Sequence, residues 1–165
     1  MDGAAGESRL WAESLRPRSE RELLPVFSPL AEEPLALGLE TIYEGYLVHY
    51  GRSRLFAPAE RTMVLLLGDY LYAHGLVRVA EVASAAGVND LAELISLCAQ
   101  LRAEERDGDG AAWAATAALL GSGRLDEGRA SLRAGDGAPL LELARTAAGP
   151  DSVDAALAAH ARRLG

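Results

Sequence analysis

The chain contains no lysine; all sixteen of its basic residues are arginine, and asparagine occurs once. Both absences follow the codon bias of a GC-rich genome and carry no chemistry. A single cysteine, Cys98, excludes an intramolecular disulfide and any zinc site built on several thiolates. No histidine or cation stands beside it in sequence to lower its pKa, so it is expected to be a small core residue. The three histidines, His49, His74 and His160, lack metal-ligand spacing. Walker-type phosphate loops, G-x-S-x-G elbows, H-E-x-x-H motifs and Cys-His clusters are all missing, which removes most enzyme classes. With a net charge of -8 there is no dense cationic run for nucleic acid or an anionic membrane. The N-terminus lacks the basic start and apolar core of a signal peptide, and the longest apolar run is broken by Gly68, Asp69 and His74. The expectation is a cytoplasmic protein without a transmembrane segment.

Few residues are β-branched, and apolar-polar alternation is not sustained, so strands are not expected. Half of the 165 residues are apolar, enough for one domain with a core. The fold class is all-α, a helical bundle over residues 1–165, with short helices in 1–33, core helices in 34–122 and short helices in 123–165.

Residues 1–7 are small and polar and are expected to be loose. Leu10, Trp11 and Leu15 fit a short amphipathic helix ending before Pro17. Arg16, Arg18 and Arg21 read as a solvated connection rather than an anion site, and Pro25 and Pro29 forbid one long helix around residues 23–30. From Pro34 a helix runs to Gly51, burying Leu35, Leu39, Ile42, Tyr43, Tyr46, Leu47 and Tyr50, with Glu40 and Glu44 as its wet face.

After a linker, Pro58 and Glu60 suit the start of a long core helix from Arg61 to about Ala86. At 100° per residue, His74, Arg78 and Glu81 form a polar line facing water. Val64, Gly68, Leu71, Gly75, Val79 and Val82 form another, whose glycines each cost about 1 kcal/mol of helix stability and so imply close approach of another helix. Asp69, flanked by Leu65, Leu66, Tyr72, Ala73 and Leu76, is expected to be a buried polar tie. Gly87 would end this helix and Asp90 to Glu93 would cap the next, burying Leu91, Leu94, Ile95, Cys98 and Leu101. Asp107-Gly-Asp-Gly110 lacks the remaining ligands of a calcium loop and reads as a turn. A short alanine-rich helix follows from Trp113 to Leu120, then helical segments near 125–134, 138–148 and 151–164.

One resemblance bears on function. The run Val64-Leu-Leu-Leu-Gly68-Asp69-Tyr70-Leu71-Tyr72-Ala73, followed by Val79-Ala80-Glu81, resembles the Gly-Asp helix of trans-polyprenyl diphosphate synthases, which have the isoprenoid synthase fold. Leu37 to His49 is similar to the segment leading into that family's first aspartate-rich motif, and Glu93 to Glu104 is similar to the next helix. The likeness covers about residues 35–105. Where the family places Asp-Asp-x-x-Asp, which holds Mg²⁺ on the substrate, this chain has Tyr50-Gly51-Arg52-Ser53. Only eighteen residues separate His49 from Gly68, too few for the family's catalytic loop, and the second aspartate-rich motif is absent as well.

The resemblance therefore implies a truncated isoprenoid-synthase-like bundle that does not catalyse prenyl transfer alone, since that chemistry needs a carboxylate-held magnesium cluster. It is similar to the non-catalytic small component of heteromeric heptaprenyl or hexaprenyl diphosphate synthases. By the same resemblance, a catalytic partner would carry Mg²⁺ and the substrates, and this chain would hold no cofactor, metal or catalytic residue of its own. Val64, Gly68, Leu71, Gly75, Val79 and Val82 would meet the partner, and Arg52 and Arg54 are the candidate remnant of a diphosphate-binding pair. The alternatives are a stand-alone helical interaction module derived from a prenyl synthase and a small apolar-ligand-binding protein.

Overall fold

A computed structural model describes residues 9–164, with side chains from Trp11 onward, so the expectation for residues 1–7 and for the Leu10 side chain lies outside the described residues. Among them are eight α-helices and no strand: α1 Arg9–Ser14, α2 Ala36–Tyr50, α3 Arg61–Ala80, α4 Ala85–Ala103, α5 Asp109–Leu119, α6 Asp126–Arg133, α7 Ala138–Ala148 and α8 Pro150–Leu164. Three single turns of 3₁₀ helix, Arg18–Glu20, Ser28–Leu30 and Glu33–Leu35, punctuate the proline-bearing N-terminal segment. The all-α class is as expected, and Pro34 and Gly51 bound α2 as the sequence predicts.

The helix at the centre is α2, not α3. Every residue of α2 from Gly38 to Val48 is buried. α3 packs along it on one side, while the aromatic rings of Phe27, Tyr43 and Trp113 meet on another. Phe27 stacks on Trp113 at 5.6 Å between centroids, and Tyr43 meets Trp113 edge-on at 5.0 Å. Such pairs add about 0.5–1.5 kcal/mol each beyond their buried area. α5 is the second helix enclosed on all sides. Ala111, Ala112, Ala114, Ala115 and Ala117 are all buried there, and these small side chains let α7 and α4 come close. Cys98 is buried on α4, and its burial pushes the thiol pKa well up, consistent with a packing role. A smaller cluster of Trp11, Val48, Leu55, Phe56, Leu67 and Leu71 fastens α1 and the α2–α3 linker beneath this pair.

The long apolar stretch is divided where the sequence predicts continuity. α3 stops at Ala80, and the Ser84 hydroxyl caps α4 by accepting from the Gly87 amide at 3.3 Å. A serine oxygen satisfies an amide that the first turn of a helix leaves unpaired, so a helix starts there. Gly87 thus lies within α4 instead of ending α3. Asp90 does not cap either; it turns inward, accepting from Arg129 Nη1 and the Gly121 amide, both at 2.8 Å.

Candidate functional site

The glycine stripe does face a helix at close range, but the helix is α2 of the same chain. Gly68, Leu71, Gly75 and Val79 are buried. Their counterparts on α2 are Gly38 and Gly45. A Cβ on Gly45 would lie 2.9 Å from the Gly68 carbonyl oxygen, and one on Gly75 would lie 2.9 Å from that of Gly38. Two glycines on each helix therefore bring the backbones together, and the assignment of this stripe to an external partner is corrected. Of the six residues, Val82 is exposed beyond the helix end and Val64 is half-buried against the small cluster.

Asp69 is also corrected. It is not a buried tie, since its side chain is 75% exposed and its carboxylate pairs with His49 Nε2 at 3.2 Å. Apolar sequence neighbours do not bury a residue when they are themselves on the outside. Leu65 and Leu66 are 51% and 52% exposed, Val77 is 62% exposed, and Ala73 is exposed as well. Together they form a stripe at helical spacing along the side of α3 opposite α2. Nothing among the described residues covers it. Among the described residues α3 is also the one helix long and apolar enough to cross a membrane by length and composition alone. Asp69 would then face lipid, at a cost of about 2.5–3.5 kcal/mol, and the opposite face is already committed to α2.

The ionisable groups missed in the sequence are the ones the fold buries. Glu40 and Glu44, expected on a wet face, are inside. Glu40 Oε1 accepts the amides of Val26, Phe27 and Ser28 at 2.8, 3.0 and 2.9 Å. Glu44 accepts from the Ser53 hydroxyl at 2.5 Å and the Leu55 amide at 2.9 Å. Arg54, whose side chain is 3% exposed, joins them, donating Nη1 to Glu40 at 2.6 Å and Nε to Glu44 at 2.9 Å. One guanidinium thus serves two carboxylates, and each carboxylate also holds a flanking segment of backbone against α2. Arg54 is therefore not free for a diphosphate. Arg52 is exposed and pairs with Glu22 at 3.1 Å.

Asp109, read as part of a turn, is the first residue of α5 and the hub of a second buried cluster. It accepts from the Tyr46 hydroxyl and from Arg102 Nη2. His160 Nε2 lies 3.6 Å away, beyond hydrogen-bonding range, while its Nδ1 is 2.9 Å from the Tyr43 hydroxyl. Burial disfavours the ionised carboxylate. The contacts with His160, Tyr46 and Arg102 outweigh that penalty and hold Asp109 well below the usual carboxylate range. A depressed folded pKa contributes stability at pH values above the unfolded carboxyl value of about 3.9, and that contribution is lost as pH falls towards the folded value. Asp109→Asn, which has no such titration, is expected to show a flatter fall in urea midpoint between pH 7 and pH 3 than the wild type.

Among the described residues no group of three or more His, Cys, Asp or Glu side chains is placed to hold a metal ion. Asp109 and His160 are packed among aromatic rings, with Phe27, Tyr43 and Tyr46 around the imidazole. The buried clusters hold helices together, and one feature left open to another molecule is the outer stripe of α3. Compared with known proteins, the chain matches no family model, no curated protein and no solved structure.

Proposed function

We propose that this chain is a non-catalytic subunit of a two-component polyprenyl diphosphate synthase, acting in the cytoplasm in isoprenoid or quinone side-chain synthesis. The observation that carries the reading is the uncovered apolar stripe of α3, with Leu65, Leu66 and Val77 each at least half exposed. Exposed apolar side chains in a row mark an association surface. The resemblance supplies the kind of partner, since the similar stretch of about residues 35–105 corresponds to three consecutive helices, α2, α3 and α4. The catalytic partner would contribute the aspartate-rich motifs, Mg²⁺ and both substrates. This chain would brace the partner's fold and influence product length. The same stripe would serve the alternative reading, a stand-alone interaction module, by pairing with a second copy.

Co-expression with a complete polyprenyl synthase from the same genome tests this. A stable complex and an altered product length are expected. Leu66→Glu should weaken the complex by about 2 kcal/mol, roughly thirtyfold, with little change in thermal melting because Leu66 is already half exposed. Absence of a complex together with an unchanged product rejects the reading. A self-association that Leu66→Glu abolishes would assign the stripe to a second copy instead.

A further inference from the structure

Asp69 is the one charge in the middle of an apolar face. From Thr62 to Ala80, every exposed residue of α3 is uncharged except this one. Leu65, Leu66, Ala73 and Val77 surround it at helical spacing, so a molecule laid along the stripe covers the carboxylate as well. An ionised carboxylate taken out of water without a counter-charge is costly. The stripe is therefore closed well only when that charge is answered.

The answering group is built into the chain. His49, near the end of α2, places Nε2 3.2 Å from Asp69 Oδ1. Its side chain is 9% exposed against 75% for Asp69, so an imidazole held inside backs a carboxylate that reaches outward. Gly68 permits this, since the three atoms nearest to a Cβ at that position all belong to the His49 ring. Tyr72 of α3 and Tyr50 of α2 flank the imidazole at 5.2 and 5.5 Å between centroids. Burial pushes both phenols up, so they stay neutral where histidines titrate. Cys98 and Arg102 of α4 act on Tyr50 from farther off; burial pushes the thiol up, and the arginine is a fixed charge paired with Asp109. His74, the other histidine near this face, accepts from Arg78 Nε at 3.1 Å. Of the groups facing Asp69, the imidazole is the one whose residue type changes charge between pH 5 and 8.

We propose that His49 is a proton switch for the α3 stripe: the catalytic partner covers the stripe with an uncharged apolar face, and protonated His49 neutralises the Asp69 buried beneath it. The inference rests on the reading of the stripe as the partner's surface. Because the counter-charge comes from within, the covering face needs no cation of its own. Binding takes one proton from solvent, so the complex is tighter where histidine is charged and weakens as pH rises.

Isothermal titration calorimetry against the complete polyprenyl synthase of the same genome, at pH 6 and pH 8, tests the switch, with sedimentation equilibrium of the chain alone at the same pH values. The complex is expected to be about fivefold tighter at pH 6. Asp69→Asn should bind as tightly at pH 8 as at pH 6. His49→Phe, which keeps a ring over Gly68, should bind as weakly at pH 6 as the wild type does at pH 8. The remaining charges are common to all three proteins, so their general response to pH cancels in the comparison. Asp69 is exposed, and a nearly unchanged melting curve for its variant separates binding from folding. A complex whose pH dependence survives in Asp69→Asn overturns the switch and leaves the partner reading standing. Loss of the complex in Asp69→Asn at both pH values also overturns it, by assigning the counter-charge to a cation of the partner. Self-association with the expected pH profile, but no complex with the synthase, keeps the switch and overturns the partner. Neither complex nor self-association at pH 6 overturns both.

Discussion

Arg54→Met is expected to lower the free energy of unfolding by about 3–5 kcal/mol, seen as a reduced urea midpoint. Methionine fills much of the arginine volume, so the loss comes from charge and not from a hole. Glu44 is completely buried and Glu40 nearly so, and Arg54 is the one cation paired with both of them among the described residues. Without it, two buried carboxylates remain on one face of α2, one turn apart, with no cation beside them. The arginine also releases the Leu24 carbonyl, which accepts from Nη1 at 3.0 Å, and leaves the ring of Tyr43, over which it sits at 5.2 Å. The triple variant Arg54→Met, Glu40→Gln, Glu44→Gln separates these causes. It should recover a substantial part of the loss, because removing a buried ionic group entirely is far milder than stranding its partners. A triple variant no more stable than Arg54→Met would show that packing, not charge, dominates.

The second large effect lies in the glycine seam. Gly75→Leu should prevent α2 and α3 from closing to their native separation, costing at least the roughly 1–3 kcal/mol typical of an overpacked core. The obstruction includes backbone: a Cβ at position 75 would meet the Gly38 carbonyl oxygen at 2.9 Å and the Ile42 amide nitrogen at 3.0 Å. Rotating a side chain relieves neither contact. Gly68→Ala provides the contrast, since all three nearest atoms in its way belong to the His49 ring. That ring can swing aside at the expense of its contact with Asp69, so the alanine at 68 should cost less than the alanine at 75. Thermal melts of Gly75→Leu, Gly75→Ala and Gly68→Ala should fall in that order, lowest first. Reversal of the two alanine variants would mean that α3 is not held where these contacts place it.

Much of the fold was legible because local chemistry decided it. Pro34 and Gly51 bracket α2, the glycines after Leu120 stop α5, and the C-terminal segments fall within a residue or two of where the pattern places them. Tyr43 and Tyr46 are core residues as read. What escaped detection depends on which segments return to which helix. Glu40 and Glu44 look like a wet face when α2 is projected alone; only Arg54 and the amides of residues 26–28 make an inner position tolerable. A helix enclosed on all sides has no polar side to reveal its orientation. Periodicity also separated the glycine line of α3 correctly from its polar line, but glycine signals close approach without naming the approaching helix. The stripe assigned outward was the inward one, and Asp69 on the true outer side was mistaken for a buried group. Asp109 gave no warning, since Asp-Gly-Asp-Gly is the ordinary signature of a turn and its partners lie on α2, α4 and α8.

The polar ties on α2 also differ in how far along the chain they reach, and this sets a timetable during synthesis. Glu44 meets Ser53 nine residues later, and Glu40 meets Val26 fourteen residues earlier, so both carboxylates can find their first partners as soon as the linker has been made. The Tyr46 hydroxyl must wait for Asp109, 63 residues on, and Glu22 for Arg163, 141 residues on. Short loops close at smaller entropic cost than long ones. The growing chain therefore settles the charges of its central helix first and makes the Glu22–Arg163 pair last.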